Sequence, residues 1–434
     1  MIDALNRKFF KTAKNMDIET DRKVRLLEYM LKLGVDINDL EKYSNQSLLM
    51  IALDNEEYEV ARLFLDKGGN VNLEDVEERT ALFFVKDEKI AQELIDRGAD
   101  VNHKAFGDRT PLMMCKGEKV SEVLVKNGAL INAKTKYKKW DLTEYSYTFI
   151  EGGCNALMYA ISNNDVKKIE FLLNNGAEVD VKNDVGENCL IYGLRCGCKL
   201  KPEVVDWLVV RGIDVNDTCF NGCSALFYVV NNKEVARKLI EKKANMYAMN
   251  KNGETAFMNA IRLADKEVVK AFVENKAYVN HKEKENGDTA LICAIKRNHM
   301  DVAEYLIEKG ADVNMTGDNT TALIEACLKN HNGMVKLLID KGAKVNAVTK
   351  EGDTAICMAV YHCSNEKVVE VLLEHGANYK KKNKDGVSAW TLADMDNYEK
   401  GTDKMADLIM AEEIRRKNTI SGAVKNVFDM FLGQ

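Results

Sequence analysis

The chain has 434 residues, of which 46% are apolar and 30% charged, and its formal net charge is −6. That charge is small for the length and gives no bulk attraction to nucleic acid or an anionic membrane, and no stretch approaches the roughly 18 apolar residues a spanning helix needs. Eleven scattered cysteines suit reduced thiols rather than a disulfide framework, and the N-terminus has no apolar run resembling a secretion signal; the expected compartment is cytoplasmic, with export by a signal-independent route left open.

From the N-terminus onward, similar segments close on one five-residue pattern. It reads Gly34-Val35-Asp36-Ile37-Asn38, Gly98-Ala99-Asp100-Val101-Asn102, Gly176-Ala177-Glu178-Val179-Asp180, Gly310-Ala311-Asp312-Val313-Asn314 and Gly342-Ala343-Lys344-Val345-Asn346, with weaker copies between. Positions aligned with the first Gly are 34, 68, 98, 128, 176, 212, 243, 276, 310, 342 and 376, eleven copies. The segment 281–314 shows how a unit is built. Asn286-Gly287-Asp288 is a turn, Thr289 sits where a helix N-cap belongs, and a short helix follows through Ala290, Leu291, Cys293 and Ile295. After a break at Asn298-His299, a second helix carries Val302, Ala303, Leu306 and Ile307, one apolar stripe at helical period. Gly310 then ends it in a left-handed C′ position. Two such helices cannot bury the stripe alone, so each pair must lean on its neighbours.

The helix-opening tetrapeptide recurs as Thr80-Ala81-Leu82-Phe83, Thr110-Pro111-Leu112-Met113, Thr289-Ala290-Leu291-Ile292 and Thr354-Ala355-Ile356-Cys357. Together with the closing pattern and a period of about 33 residues, these motifs resemble the ankyrin-repeat family over roughly residues 20 to 412. The resemblance implies an all-α solenoid of about twelve helix-turn-helix units with β-hairpin fingers, and a non-catalytic protein-binding scaffold using the finger and first-helix surface. The family's motif His is replaced throughout, so its Thr–His hydrogen bonds are missing and each unit should rely more on apolar packing.

In chain order, residues 1–38 read as an N-terminal capping repeat and 39–380 as ankyrin repeats. From motif residue to closing Leu is 17 residues in Thr289–Leu306, but 14 in Thr80–Leu94 and Thr110–Leu124 and 15 in Ser224–Leu239. The deletion is expected at the inter-helix break. Residues 133–153 form an insertion where the family places a finger, with Tyr137, Trp140, Tyr145, Tyr147 and Phe149 far above the 7% aromatic average. Alternation in Tyr145, Tyr147 and Phe149 predicts a strand with one aromatic face. These aromatics either fold back as a local mini-core or form a binding surface, which the fingertip residues Tyr43, Phe106 and Phe220 would extend.

Cys189, Cys196, Cys198, Cys219 and Cys223 cluster in sequence, but only the last two have zinc-like spacing, so packed thiols and no metal are expected. Tyr159, Tyr192 and Tyr228 share one slot and should form a stacked core row. The six histidines do not converge, and no nucleophile elbow, phosphate loop or metalloprotease motif is present. Neither a catalytic residue nor a cofactor is expected. Lys380-Lys381-Lys382-Asn383-Lys384 reads as a solvated fingertip. Residues 381–412 are the final repeat, and 413–434, with Ile420, Val424, Val427, Phe428 and Phe431 on one face, an amphipathic helix expected to cap the stack, with partner binding or membrane-surface contact as the alternatives. The expected partner is a protein, bound by a monomer without nucleic acid or membrane. An exported effector acting on a host protein, or an accessory subunit of an enzyme, stands as the alternative.

Overall fold

The computed structural model describes residues 2–143, 146–284, 287–362, 366–396 and 403–432. They form two compact units, Met1–Ala244 and Asn245–Gln434, each built of stacked helix pairs as expected of an all-α solenoid. In each, the full-length repeats alternate a seven- or eight-residue first helix with a nine-residue second helix.

The second unit shows why. Thr289 is extended (φ −80°, ψ 163°), and its side chain accepts from Ile292 N at 3.3 Å, which opens the helix Ala290–Lys296. Asn298 turns the chain at φ +63°, the helix Met300–Glu308 follows, and Gly310 (φ +87°) stops it. Ile292, Val302 and Leu306 are fully buried. They are covered because Ala290–Lys296 packs between Ala256–Arg262 and Ala322–Leu328. Each such side chain contributes about 1.5–3 kcal/mol only when both neighbours are present. The closing pattern survives at positions 243 and 276 without glycine, since Lys243 (φ +65°) and Lys276 (φ +67°) adopt the same left-handed conformation.

The Asn that ends the pattern clamps consecutive repeats. Asn102 donates Nδ2–H to Gly128 O (2.9 Å), and its Oδ1 accepts from Leu130 N (2.9 Å). Asn72, Asn132, Asn314 and Asn346 each make both bonds to the next closing turn. At the equivalent position 247 the residue is Tyr, and its hydroxyl reaches Lys276 O at 3.0 Å instead.

The three contracted repeats differ from expectation. Their second helices keep nine residues (Glu88–Asp96, Glu118–Lys126 and Lys233–Glu241), while the first helix shrinks to Ala81–Phe83, Pro111–Met114 or Ala225–Tyr228. The deletion therefore falls mainly in the first helix. The second-helix stripe must still meet the stripe of each neighbour, so it cannot be shortened without opening the core. With so short a helix the motif hydroxyls of Thr80, Thr110 and Ser224 are buried without a hydrogen-bond partner, whereas Ser47, Thr255 and Thr321 cap theirs. One gap is plugged from the next repeat. Buried Lys168 donates to Cys115 O (2.6 Å) and Met113 O (3.4 Å) at the end of Pro111–Met114. Such carbonyls would otherwise be orphans.

The termini of the fold carry their own devices. The helix Ile2–Lys14 (α1) lies against Thr20–Lys32 and the first full repeat, and fully buried Lys23 meets Glu57 at 2.5 Å. At the other end, Asp403–Leu432 is one 30-residue helix. The boundary expected at 412/413 falls inside it. Its first half supplies the buried Met405, Ala406 and Ile409; the side chains of 420–432 lie outside the described residues. Lys380, expected to be a solvated tip, pairs with Glu413 of this helix at 2.6 Å, and Tyr379 donates to the same carboxylate.

Candidate protein-binding surface

The loop that precedes each first helix, here called a finger, is closed by a short backbone bridge, such as Ala105 with Arg109 and Thr218 with Ser224. In the first unit successive fingers are also joined to each other. Val76 N donates to Ser44 O, Phe106 N to Glu77 O, Lys136 N to Gly107 O, Asp184 N to Gly152 O and Phe220 N to Val185 O, all at 2.9–3.0 Å. One backbone bond per junction thus aligns the fingertips into a row.

The insertion grows out of this row. β1 (Lys138–Thr143) and β2 (Ser146–Ile150) pair antiparallel. Thr135 fixes the neck: its Oγ donates to Glu151 O at 2.6 Å and accepts from Cys154 N at 3.0 Å. Two glycines let the neck close on itself and press on the next finger. A Cβ at Gly153 (φ +80°) would lie 2.8 Å from Asn183 Cα, and one at Gly152 would lie 2.6 Å from Tyr137 N. The register sets Trp140 opposite Thr148, Asp141 opposite Tyr147 and Lys139 opposite Phe149. Tyr147 and Phe149 therefore occupy positions of one face of the ladder, and Trp140 a position of the other. Tyr145 lies outside the described residues.

The remaining expected contact residues divide. Tyr43 is 80% exposed, Tyr137 63% and Phe220 65%, so all three present surface at the fingers. Phe106 does not: it is only 8% exposed. Its amide is held by Glu77 O and its carbonyl by Arg109 Nε (2.9 Å), while Arg109 Nη2 reaches Glu77 Oε2 at 2.8 Å. This closure turns Phe106 into packing rather than contact area. No local motif signals it, because it depends on Glu77, 32 positions before Arg109.

Beside the hairpin neck, the first helices present a polar strip. Arg195 donates to both oxygens of Glu151 (2.8 and 2.7 Å) and to Glu187 (2.5 and 3.0 Å). Tyr159 and Tyr192 stand 6.5 Å apart, and the Arg195 guanidinium lies 5.6 Å from the Tyr192 ring. The tyrosine row expected in the core is only half-buried. Burial still pushes the Tyr159 hydroxyl up to about 12 and Tyr192 upward as well, so both are neutral donors at neutral pH. Burial likewise pushes the Cys154 thiol up to about 12, which keeps it protonated and unreactive. Cys219 and Cys223 close one finger through Cys219 N to Cys223 O at 3.1 Å, and Cys219 Sγ lies 3.8 Å from Tyr228 Oη. Among the described residues no three His, Cys, Asp or Glu side chains are grouped to hold a metal ion, and no helix is long and apolar enough to cross a membrane.

The second unit repeats the acid–base theme in a cleft of about 720 Å³ lined by Glu254, Arg262, Glu283, Asp288, Lys296 and His299. Arg262 pairs with Glu254 and lies 3.7 Å from Glu283; Lys296 pairs with Asp288 at 2.6 Å and lies 3.9 Å from Glu325. Glu187–Arg195, Glu254–Arg262 and Asp288–Lys296 all join a finger acid to a base eight residues on. The positional rule is present in the sequence but not conspicuous there, because a spacing of eight across a loop-to-helix junction matches no single periodicity.

Two comparisons with known proteins bear on this arrangement. The family model described as ankyrin repeats in three copies matches residues 18–105, 139–219, 194–283, 226–317 and 314–383. A crystal structure of the ankyrin repeat domain of Bcl-3, described as a member of the IκB protein family, is similar at 22% identity over 51% of this chain and 98% of that one, with a TM-score of 0.45. Repeated helix pairs, the closing Gly-to-Asn clamp and a family match over most of the length lead to one conclusion: the chain belongs to the ankyrin-repeat family.

Proposed function

We propose that this chain is a non-catalytic scaffold that captures a protein partner along the finger row of its first unit. Ankyrin repeats are in general protein–protein interaction modules, and the specific reading rests on one observation. The hairpin β1–β2 rises from a finger row in which Tyr137, Val185 and Phe220 are exposed. Exposed aromatics on a backbone fixed by inter-finger bonds lose little entropy on binding, which is what dominant interface residues need. The Glu151–Arg195–Glu187 strip beside them supplies a polar rim. In this reading residues 1–38 and the helix after 412 cap the stack, the repeats between carry the binding surface, and a cytosolic monomer is the acting species.

The test is quantitative affinity purification of the full chain against two variants, Trp140→Ala with Tyr147→Ala, and Tyr137→Ala with Phe220→Ala. Loss of the same co-purifying protein from both, with unaltered circular dichroism, supports the reading; anchors of this kind are worth about 2–4 kcal/mol. Undiminished capture by both variants removes the finger row from the function.

A further inference from the structure

The finger ladder of the first unit has one donor left over. Val76, Phe106, Lys136, Asp184 and Phe220 each follow directly the residue whose amide closes its own finger, namely Asp75, Ala105, Thr135, Asn183 and Cys219. In the first finger that closing amide belongs to Glu41, which donates to Gln46 O at 3.0 Å. The equivalent donor is therefore Lys42 N. Among the described residues no finger precedes it and it has no acceptor.

Lys42 lines a cleft of about 970 Å³ between α1 and the first finger. Phe10, Lys11 and Lys14 form one wall; Leu40, Lys42 and Tyr43 form the other. Of the charged residues lining it, four are cations (Arg7, Lys11, Lys14, Lys42) and two are carboxylates (Asp39, Glu41). Glu41 is already engaged: its Oε2 accepts from Tyr43 N, Ser44 N and Ser44 Oγ at 2.8–3.0 Å, and its Oε1 lies 3.6 Å from Lys14. An incoming chain therefore meets surplus positive charge, an apolar pair in Phe10 and Leu40, and an open backbone donor.

We propose that an extended acidic segment of a partner protein occupies this cleft. Its main chain accepts from Lys42 N–H, as a preceding finger would, in the manner of strand addition at a sheet edge. Its carboxylates face Lys11 and Lys14, and one apolar side chain sits by Phe10 and Leu40. The site is separate from the hairpin, and its occupancy does not depend on Tyr137 or Phe220.

Fluorescence anisotropy of the full chain with labelled decapeptides tests this. One probe alternates Glu and Leu, the other Lys and Leu. The acidic probe should bind saturably and the basic one should not. Reversing one exposed cation in Lys11→Glu should weaken the acidic probe about fivefold. Lys42→Gln and Lys42→Pro lose the same charge, but only Pro removes the N–H, so Lys42→Pro should bind about fivefold more weakly than Lys42→Gln. Tyr137→Ala with Phe220→Ala should bind like the parent, which separates this site from the hairpin reading. Equal binding of the two probes, or no loss in Lys11→Glu, overturns the proposal, as does tighter binding of a thymidine decanucleotide than of the acidic peptide. If Lys42→Pro and Lys42→Gln bind alike, the backbone contact is refuted. Circular dichroism confirms that each variant is folded, and the probe comparison and Lys11→Glu decide the outcome if Lys42→Pro is not.

Discussion

Replacing Asn102 by Ala removes both bonds of one inter-repeat clamp, to Gly128 O and from Leu130 N, each 2.9 Å long. Both lie near solvent, so each is worth the lower half of the usual 0.5–1.5 kcal/mol range, with an added penalty for the backbone groups left behind; about 2 kcal/mol together is expected. In a stack of repeats this loss belongs to a single junction rather than to the whole chain. The assay is hydrogen exchange read by mass spectrometry, since a global melt would blur a local effect. Exchange at Leu130 and the turn around Gly128 should quicken by about 30-fold, the equivalent of 2 kcal/mol, with peptides from Asn245 onward unchanged. Asn102→Asp keeps the acceptor for Leu130 N but loses the donor to Gly128 O, so roughly half the effect is expected. Unaltered exchange at Leu130 in the Ala variant, or an equal rise throughout the chain, would refute the clamp.

Three further outcomes follow from the geometry. Phe106→Ala should destabilise the first unit by about 3–5 kcal/mol in thermal or urea unfolding, whereas Phe220→Ala should stay within about 1 kcal/mol; the reverse order would contradict the packing of Phe106 and the exposure of Phe220. Lys276→Gly relieves a left-handed non-glycine residue (φ +67°) and should stabilise its repeat by about 1 kcal/mol, less a few tenths for chain entropy; a lower melting temperature would contradict this. The Ser44 N–H bond, with Ser44 Oγ and Tyr43 N adding to it, holds the Glu41 carboxyl at about 2 against an ordinary 4.5. Because the folded value is the depressed one, the stability it gives the first finger is present above pH 4.5 and disappears as pH falls through about 2. The Ser44 amide NMR shift should move in that window, and a midpoint near 4.5 would show the turn bond to be absent.

The repeat architecture was legible because every unit faces the same physical demand. A stripe such as Val302, Leu306 and its counterparts can be hidden only by identical neighbours, so it recurs at a fixed period. Conformation was legible even where chemistry changed, as at Lys243 and Lys276, since position in the period forces the left-handed turn. What could not be read were consequences of contacts between repeats. The closing Asn was visible as a pattern, but its acceptor and donor lie 26 and 28 residues further on, at Gly128 and Leu130. The contracted repeats showed a length deficit without revealing that the first helix absorbs it, because that choice depends on which helix neighbours need. Lys23 and Lys168 are buried despite their charge, as their ammonium groups meet Glu57 and Cys115 O in adjoining repeats. Phe106 failed as a contact residue for the same reason, being closed over by the bond between Arg109 and Glu77.

The proposed grip lies on the finger row rather than on the outer helices. A photo-crosslinking amino acid placed in turn at Tyr137, at Phe220 and at Val210, which is 80% exposed on the second helix Pro202–Val210, tests it on the full chain. One common protein should crosslink from Tyr137 and from Phe220, and none from Val210. Crosslinks to that protein from Val210 alone, with both fingertips silent, would contradict it.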